Sequence, residues 1–372
     1  MFLLCPVLLL AAHLGRAQSG TGSSTLKLDP TNQPSPNRIG LSYRLGLNTP
    51  VSFKNLGGYT PLPTRLTSRL TPDGDPYNYD DGYVYNDVNN GAFGSTWYWG
   101  YDAAPGQYTL GASSVIMHRS SSPSNVTSKD TDADPLHGFE VTYNRELHHS
   151  EHLQLGLEAA FGFTPISVDD TRALSGDVVV VGDAYSVPID AETGYGITYF
   201  PSATSSGAWQ NNRTGTLHPG DAALIGNTPT AMPSQLIPGA ANIVGSRQFD
   251  ANFYGFRLGP YLEFQAHPRL NLGLSAGLAV AYIESDFSYQ ETVTIAGIAD
   301  SPYQRAASSQ SGWCVGGFVS GTVSYNFARN WAAIAGAQFM GLGQYTHNLN
   351  NKQAVLDLRQ SVFVTIGASY SF

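Results

Sequence analysis

Arg44, Glu140, Glu158, Arg257 and Glu263 are charged side chains set into stretches that otherwise hold apolar and small residues. Glu140 and Glu158 lie symmetrically about His149, so a tight turn there would face one carboxylate with the other on neighbouring strands. Two carboxylates confined together repel. One must then take a proton, or a cation must sit between them, and Arg257 and Arg44 are the candidates. The chemistry open to such a set is a satisfied ion network closing an enclosed space, or a charged constriction that selects ions in a narrow pore.

Other constellations offer less. HHSEH (His148 to His152) has metal-ligand residue types, but its spacing matches no tight zinc motif. The stretch TPDGDPYNYDDGYVYND (Thr71 to Asp87) gives Asp73, Asp75, Asp80 and Asp81 as a weak calcium set that departs from the helical calcium loop at Tyr77 and Asn78. No G-x-S-x-G or comparable nucleophile-and-base arrangement stands out, and His118, His218 and His347 show no evident partners in the sequence. The expectation is therefore no enzyme, no cofactor and no firm metal site.

The elements that would position the five charges follow from period-two alternation. In LNLGLSAGLAVAY, the residues Leu270, Leu272, Leu274, Ala276, Leu278, Val280 and Tyr282 share one side, while Asn271, Gly273, Ser275, Gly277, Ala279 and Ala281 share the other. The stretch from Trp313 to Phe327 and the terminal SVFVTIGASYSF (Ser361 to Phe372) repeat the pattern. Less regular runs extend over Ile39 to Phe53, Phe93 to Tyr101, Gln107 to Met117, Gly138 to Leu147, Glu151 to Phe163, Phe249 to Ala266, and Trp331 to Tyr345. The alternation turns all five charges to the polar side. Aromatics such as Trp97, Trp99, Tyr101, Phe327 and Trp331 gather near the ends of the apolar faces, as interfacial girdles require.

Connections alternate in length. Asp102 to Gly106, His148 to Ser150, His267 to Arg269 and Ala328 to Asn330 are tight. Lys54 to Gly91, His118 to Pro135, about Ile189 to Arg247, Gln290 to Gln310 and Thr346 to Gln353 are long or polar. Short turns on one rim and long loops on the other are the layout of an all-β, antiparallel, up-and-down transmembrane barrel. With both chain ends on the short-turn rim the strand number must be even, and the runs give about ten, within about eight to twelve.

Composition agrees. After the apolar leader of residues 1–17, ending in Gly15-Arg16-Ala17, no apolar run is long enough for a membrane-spanning helix. Losing the leader would leave Cys314 as the sole cysteine, so no internal disulfide is expected. Charged residues make up 13% of the chain and the formal net charge is -9, an acidic balance that argues against nucleic acid as partner.

A last strand of alternating apolar residues closing on Tyr370 and Phe372 resembles the carboxyl-terminal signature of bacterial outer-membrane β-barrel proteins. Together with Ile39-Gly40-Leu41-Ser42-Tyr43-Arg44 and Phe53-Lys54-Asn55-Leu56-Gly57-Gly58, the chain looks like a widespread group of single-domain barrels of Gram-negative bacteria. The resemblance covers residues 37–372, with outer loops at 54–91 and 189–247 and a flexible periplasmic segment at 18–36. It implies location in the outer membrane, contact with its lipid, and recognition of Tyr370 and Phe372 by the barrel-assembly machinery. It implies no reaction. Two roles are expected: a structural or interaction barrel whose long loops meet surface polymers or proteins, or a passive pore for small solutes.

Overall fold

Eight of the alternating runs form strands that pair in a closed ring. They are β1 (Asn37–Leu47), β2 (Leu136–His149), β3 (Leu153–Asp170), β4 (Gln235–His267), β5 (Leu270–Ile295), β6 (Gln304–Asn326), β7 (Trp331–Gly341) and β8 (Ser361–Ser371). Each pairs antiparallel with its neighbours in the chain, and β8 returns to β1 in the register Arg38↔Ser371 and Arg44↔Thr365. The computed structural model describes residues 36–60, 78–84, 94–96, 99–101, 106–108, 112–132, 135–187, 225–296, 298 and 301–372. The leader, Asp73, Asp75, His218, most of the Asp102 to Gly106 turn and much of the 189–247 loop lie outside these residues.

Period-two alternation puts every second side chain outside the ring, and on most strands those positions are apolar over about ten residues, the span a bilayer requires, with Arg145 between Tyr143 and Leu147 interrupting the series on β2. On β4 the outward series is Phe264, Leu262, Leu258, Phe256 and Tyr254. On β5 it is Leu272, Leu274, Leu278 and Tyr282, and on β6 it is Tyr325, Val323, Val319, Val315 and Trp313. The series then turns polar at once: Asn252 and Asp250, Glu284 and Asp286, Ser311 and Ser309. Aromatic contacts mark both edges of the band, with Phe139, Phe163, Tyr254, Tyr282 and Trp313 on one side and Trp331, Tyr370 and Phe372 on the other. No helix among the described residues is long and apolar enough to cross a membrane.

The rim carrying both ends of the ring is tightly closed. Short turns join β2 to β3, β4 to β5 and β6 to β7. Backbone bonds then stitch turns to neighbours: Asn326 N–H to the Arg269 carbonyl at 2.8 Å, Ser371 N–H to Asn330 at 2.9 Å, and Phe372 N–H to Asn37 at 2.9 Å. The opposite rim is uneven. β4, β5 and β6 hold 33, 26 and 23 residues and rise far above the apolar band, whereas β1, β7 and β8 hold 11 each.

The ring has eight strands rather than the central expectation of about ten. Two of the runs counted as wall strands stay out of it: Trp99–Tyr101 pairs with Gly82–Val84, and Ser114–Val126 pairs with Leu174–Ser186. Trp99, Val115 and Met117 bury against Tyr79, Tyr83, Tyr185 and Ile225 in a core of their own, so they belong to an outer cap instead of alternating between lipid and lumen. The presumed loop before Arg247 is also shorter than expected, because β4 begins at Gln235 and pairs there with Leu174–Ser186.

Candidate functional site

Inside the apolar band, all five charges face the lumen and are buried. Arg257 on β4 donates from Nη2 to Glu140 Oε1 at 2.7 Å and from Nη1 to Glu158 Oε1. Glu158 also accepts from Asn144 Nδ2 at 3.0 Å and from Ser275 Oγ at 3.1 Å. Glu263 is held by a two-pronged bond from Arg38, at 3.1 and 2.7 Å. The Arg44 guanidinium carbon lies over the Phe363 ring, 3.5 Å from its centre, and its Nε is 4.0 Å from Glu140. Three guanidinium groups thus meet three carboxylates, and the set is neutral when all are ionised.

Glu140 and Glu158 do not oppose each other. Glu158 pairs with Asn144 and Glu140 with Gly162, because the turn centres near Glu151 and a bulge falls between Leu155 and Gly156. The offset is what makes room for arginine. A Cβ on Gly162 would come within 2.1 Å of Arg44 Nη1, so the residue opposite Glu140 has to be small for Arg44 to enter. Arg38 was not singled out from the sequence, although it shares the parity of Arg44; it stands one residue before the run that begins at Ile39.

Above this layer the interior becomes apolar. Phe253, Phe363, Phe249 and Phe287 point inward, and loop strands bring Val51, Phe53, Ala354, Leu356 and Leu358 against them, all at 1% exposure or less. These loop residues arrive as a sheet of their own, in which Gln344–Leu349 pairs with Lys352–Asp357 and that strand pairs with Pro50–Lys54 (Ala354↔Phe53). The space left among the polar residues of the lower layer is about 40 Å³, room for no more than a few waters.

A second ion cluster binds this inserted sheet to the wall. Glu291 on β5 meets Lys352 Nζ at 2.5 Å and accepts from the Gly57 N–H at 3.1 Å, and Lys352 donates to the Gly57 carbonyl at 3.0 Å. Arg247 lies 3.8 Å from Glu291 and 3.9 Å from Asp170. Burial pushes the Asp170 carboxyl up, but hydrogen bonds from Arg172 and the charge of Arg247 outweigh it and hold the group below its usual range. The sequence carried a signal for this cluster: Arg247 and Glu291 continue the inward parity of β4 and β5 past the points where those strands were expected to end.

Two of the three outer histidines, His118 and His347, have partners, against the expectation that they lack them. His118 Nδ1 is 2.6 Å from Asp81 Oδ2, and its backbone N–H donates to Asp81 Oδ1. His347 touches Ser285 at 2.8 Å and Ser308 at 2.9 Å. His218 lies outside the described residues. Of the calcium candidates, Asp81 is thus engaged by His118, while the Asp80 N–H donates to the His118 carbonyl. In HHSEH, His149 sits 3.4 Å from Glu146 on the short-turn rim. No group of three metal-ligating side chains is present among the described residues.

The two histidines make the outer architecture pH-dependent in opposite senses. The hydrogen bond to Asp81 raises the His118 pKa, so its stabilising contribution is full below the ordinary histidine value and is lost as pH rises through the raised one. Burial lowers that of His347, so stability is lost as pH falls from the ordinary value toward the lowered one. Hydrogen exchange across pH 5 to 8 is expected to show the Ser114–Val126 strand loosening toward alkali and the Gln344–Leu349 strand loosening toward acid, with about pH 6.5 the best compromise. Asp81→Asn should flatten only the first trend.

No protein-family model matches the chain, and no curated protein matches it. Among solved structures it is similar to Ail, the attachment invasion locus protein of Yersinia pestis, with 8% identity, 91% of this chain and 100% of that chain covered, and a TM-score of 0.28. The outer membrane protease OmpT from Escherichia coli gives 10% identity, coverage of 92% and 99%, and a TM-score of 0.29. The toluene transporter TodX of P. putida gives 9%, 91% and 91%, with a TM-score of 0.18.

Proposed function

We propose that this protein is an outer-membrane barrel of a Gram-negative bacterium with a closed lumen, whose role is structural or interactive and is exercised by its tall, loop-built outer part. The observation that carries the reading is the double filling of the lumen: a neutral ion layer of six side chains, five of them buried and Arg38 half-buried, and over it an apolar layer completed by an inserted sheet. A small barrel packed with side chains has no water column through which solutes could pass. Tyr370 and Phe372, on the short-turn rim, are the residues we assign to recognition by the assembly machinery, and the outward apolar band is the lipid contact.

Planar-bilayer recording of the refolded full chain tests the closed lumen. The expected result is no steady conductance. Steady, ion-selective openings that change with Arg257→Ala would overturn it and establish the alternative, a passive pore in which the lower ion layer is the constriction.

A further inference from the structure

The β6 strand is long on one side only. It pairs with β5 from Gln304 to Tyr325, but with β7 only from Gly317 onward. At Gly341 the chain leaves the wall. Gly343, at φ +83°, turns it inward, and Gln344–Leu349 packs on the lumen face of β5 and β6, where Tyr345 and His347 reach Ser285 and His347 reaches Ser308. Side chains make these contacts, so residues 304–316 of β6 keep one edge without a ladder partner among the described residues. Exposed edges of this kind are usually blunted by lysine, proline or a bulge. This one has Arg305 as its sole charge, no proline, and an unbroken register against β5.

The outer face beside that edge is acidic and concave. Reading inward from the edge, Ser309 pairs with Asp286 and Asp286 with Asp250, while Ser311 pairs with Glu284 and Glu284 with Asn252. Hydrogen bonds orient the carboxylates: Ser309 Oγ donates to Asp286 and Ser167 Oγ to Asp250, each at 2.5 Å. The concavity these residues line measures about 590 Å³ and contains no lysine or arginine. It lies just above the ring of Tyr282 and Trp313, outside the apolar band.

We propose that the free edge of β6 takes up an extended cationic peptide segment of a partner protein as an added strand. Backbone pairing supplies the register, and lysine or arginine side chains at alternate positions lie across the small Ser309 and Ser311 to reach Asp286 and Glu284. The small residues matter, because the carboxylates stand one strand further in and only a long side chain crossing short neighbours spans that distance. The inference rests on the surface-interaction reading above and names the kind of partner.

The test uses the full chain in detergent micelles and a fluorescent peptide of alternating lysine and valine, read by anisotropy. Two control peptides accompany it, one with glutamate for lysine and one with alternate amides N-methylated. The expected result is saturable binding of the lysine peptide, loss of binding for both controls, and weakening on the order of tenfold in the doubly substituted Glu284→Gln, Asp286→Asn protein. An isotope-labelled peptide should show its amide band at the β-sheet position when bound. Equal binding of the N-methylated peptide would reduce the surface to nonspecific charge attraction and overturn the proposal. So would equal binding of the glutamate peptide, or no binding at all. Both substitutions lie on the exposed outer face, so unchanged heat-dependent gel mobility serves as the folding control. A conducting lumen would overturn the closed-barrel reading without altering these results, and absent peptide binding would leave the conductance result unaffected.

Discussion

Glu158→Ala is expected to destabilise the barrel by about 3 to 5 kcal/mol, seen as conversion of the compact gel form to the unfolded form at a clearly lower temperature. The reason is that the carboxylate is almost fully buried and answers three donors at once, Arg257, Asn144 and Ser275. Its removal leaves Arg257 with Glu140 alone, which Arg44 also needs, so the lower layer carries one uncompensated positive charge in a space of about 40 Å³. Glu158→Gln should cost less, since the amide oxygen still accepts from Asn144 or Ser275. Equal thermal stability of the alanine variant and the parent would mean that the ion layer does not hold the wall together.

Glu291→Ala is the second large effect, of about 3 kcal/mol, and it should be local to the mouth. Glu291 is fully buried and is the anion shared by Arg247 on the wall and Lys352 on the inserted sheet. Without it, Arg247 keeps Asp170 as a partner but the buried Lys352 loses the carboxylate it meets, and the Gly57 N–H loses its acceptor. Hydrogen exchange and limited proteolysis are expected to find the Gln344–Leu349 and Lys352–Asp357 hairpin opened, with the wall strands still protected. Lys352→Met should be milder, because Arg172 and Arg247 together still balance Asp170 and Glu291. If the two substitutions have the same effect, the cluster is not acting as a latch.

The alternation that builds this wall is written plainly in β5 and β6, where apolar side chains hold one parity from Leu272 to Tyr282 and from Tyr325 to Trp313. Inward placement of Arg44 or Glu263 follows from the same parity. Pairing offsets do not, because a bulge beside Gly156 and a turn centred near Glu151 change which residues oppose without changing which face they occupy. The upper cluster was hidden for another reason. Beyond the bilayer the outward residues become polar, so strand and loop lose their contrast, and Arg247 and Glu291 look like loop charges although their parity is unbroken. The ring takes the lower end of the expected eight to twelve strands because Trp99 and Met117 suit a small buried core as well as they suit a barrel face.

The β1 to β8 seam has a consequence for how the molecule comes to exist. Arg38 pairs with Ser371, so the two partners that complete the ring are separated by nearly the whole chain. Contacts of such high sequence separation form slowly, since loop-closure entropy must be overcome before any of them is rewarded. Arg44 on β1 settles on the ring of Phe363 on β8, so this cation leaves water for its final site only when the two ends join. Until then the apolar outward faces and the unpaired edges of β1 and β8 stand open together, a state prone to aggregation. Folding is therefore expected to be all-or-none in the wall, with no stable partial barrel, and to depend on a template that holds the open edges until they meet.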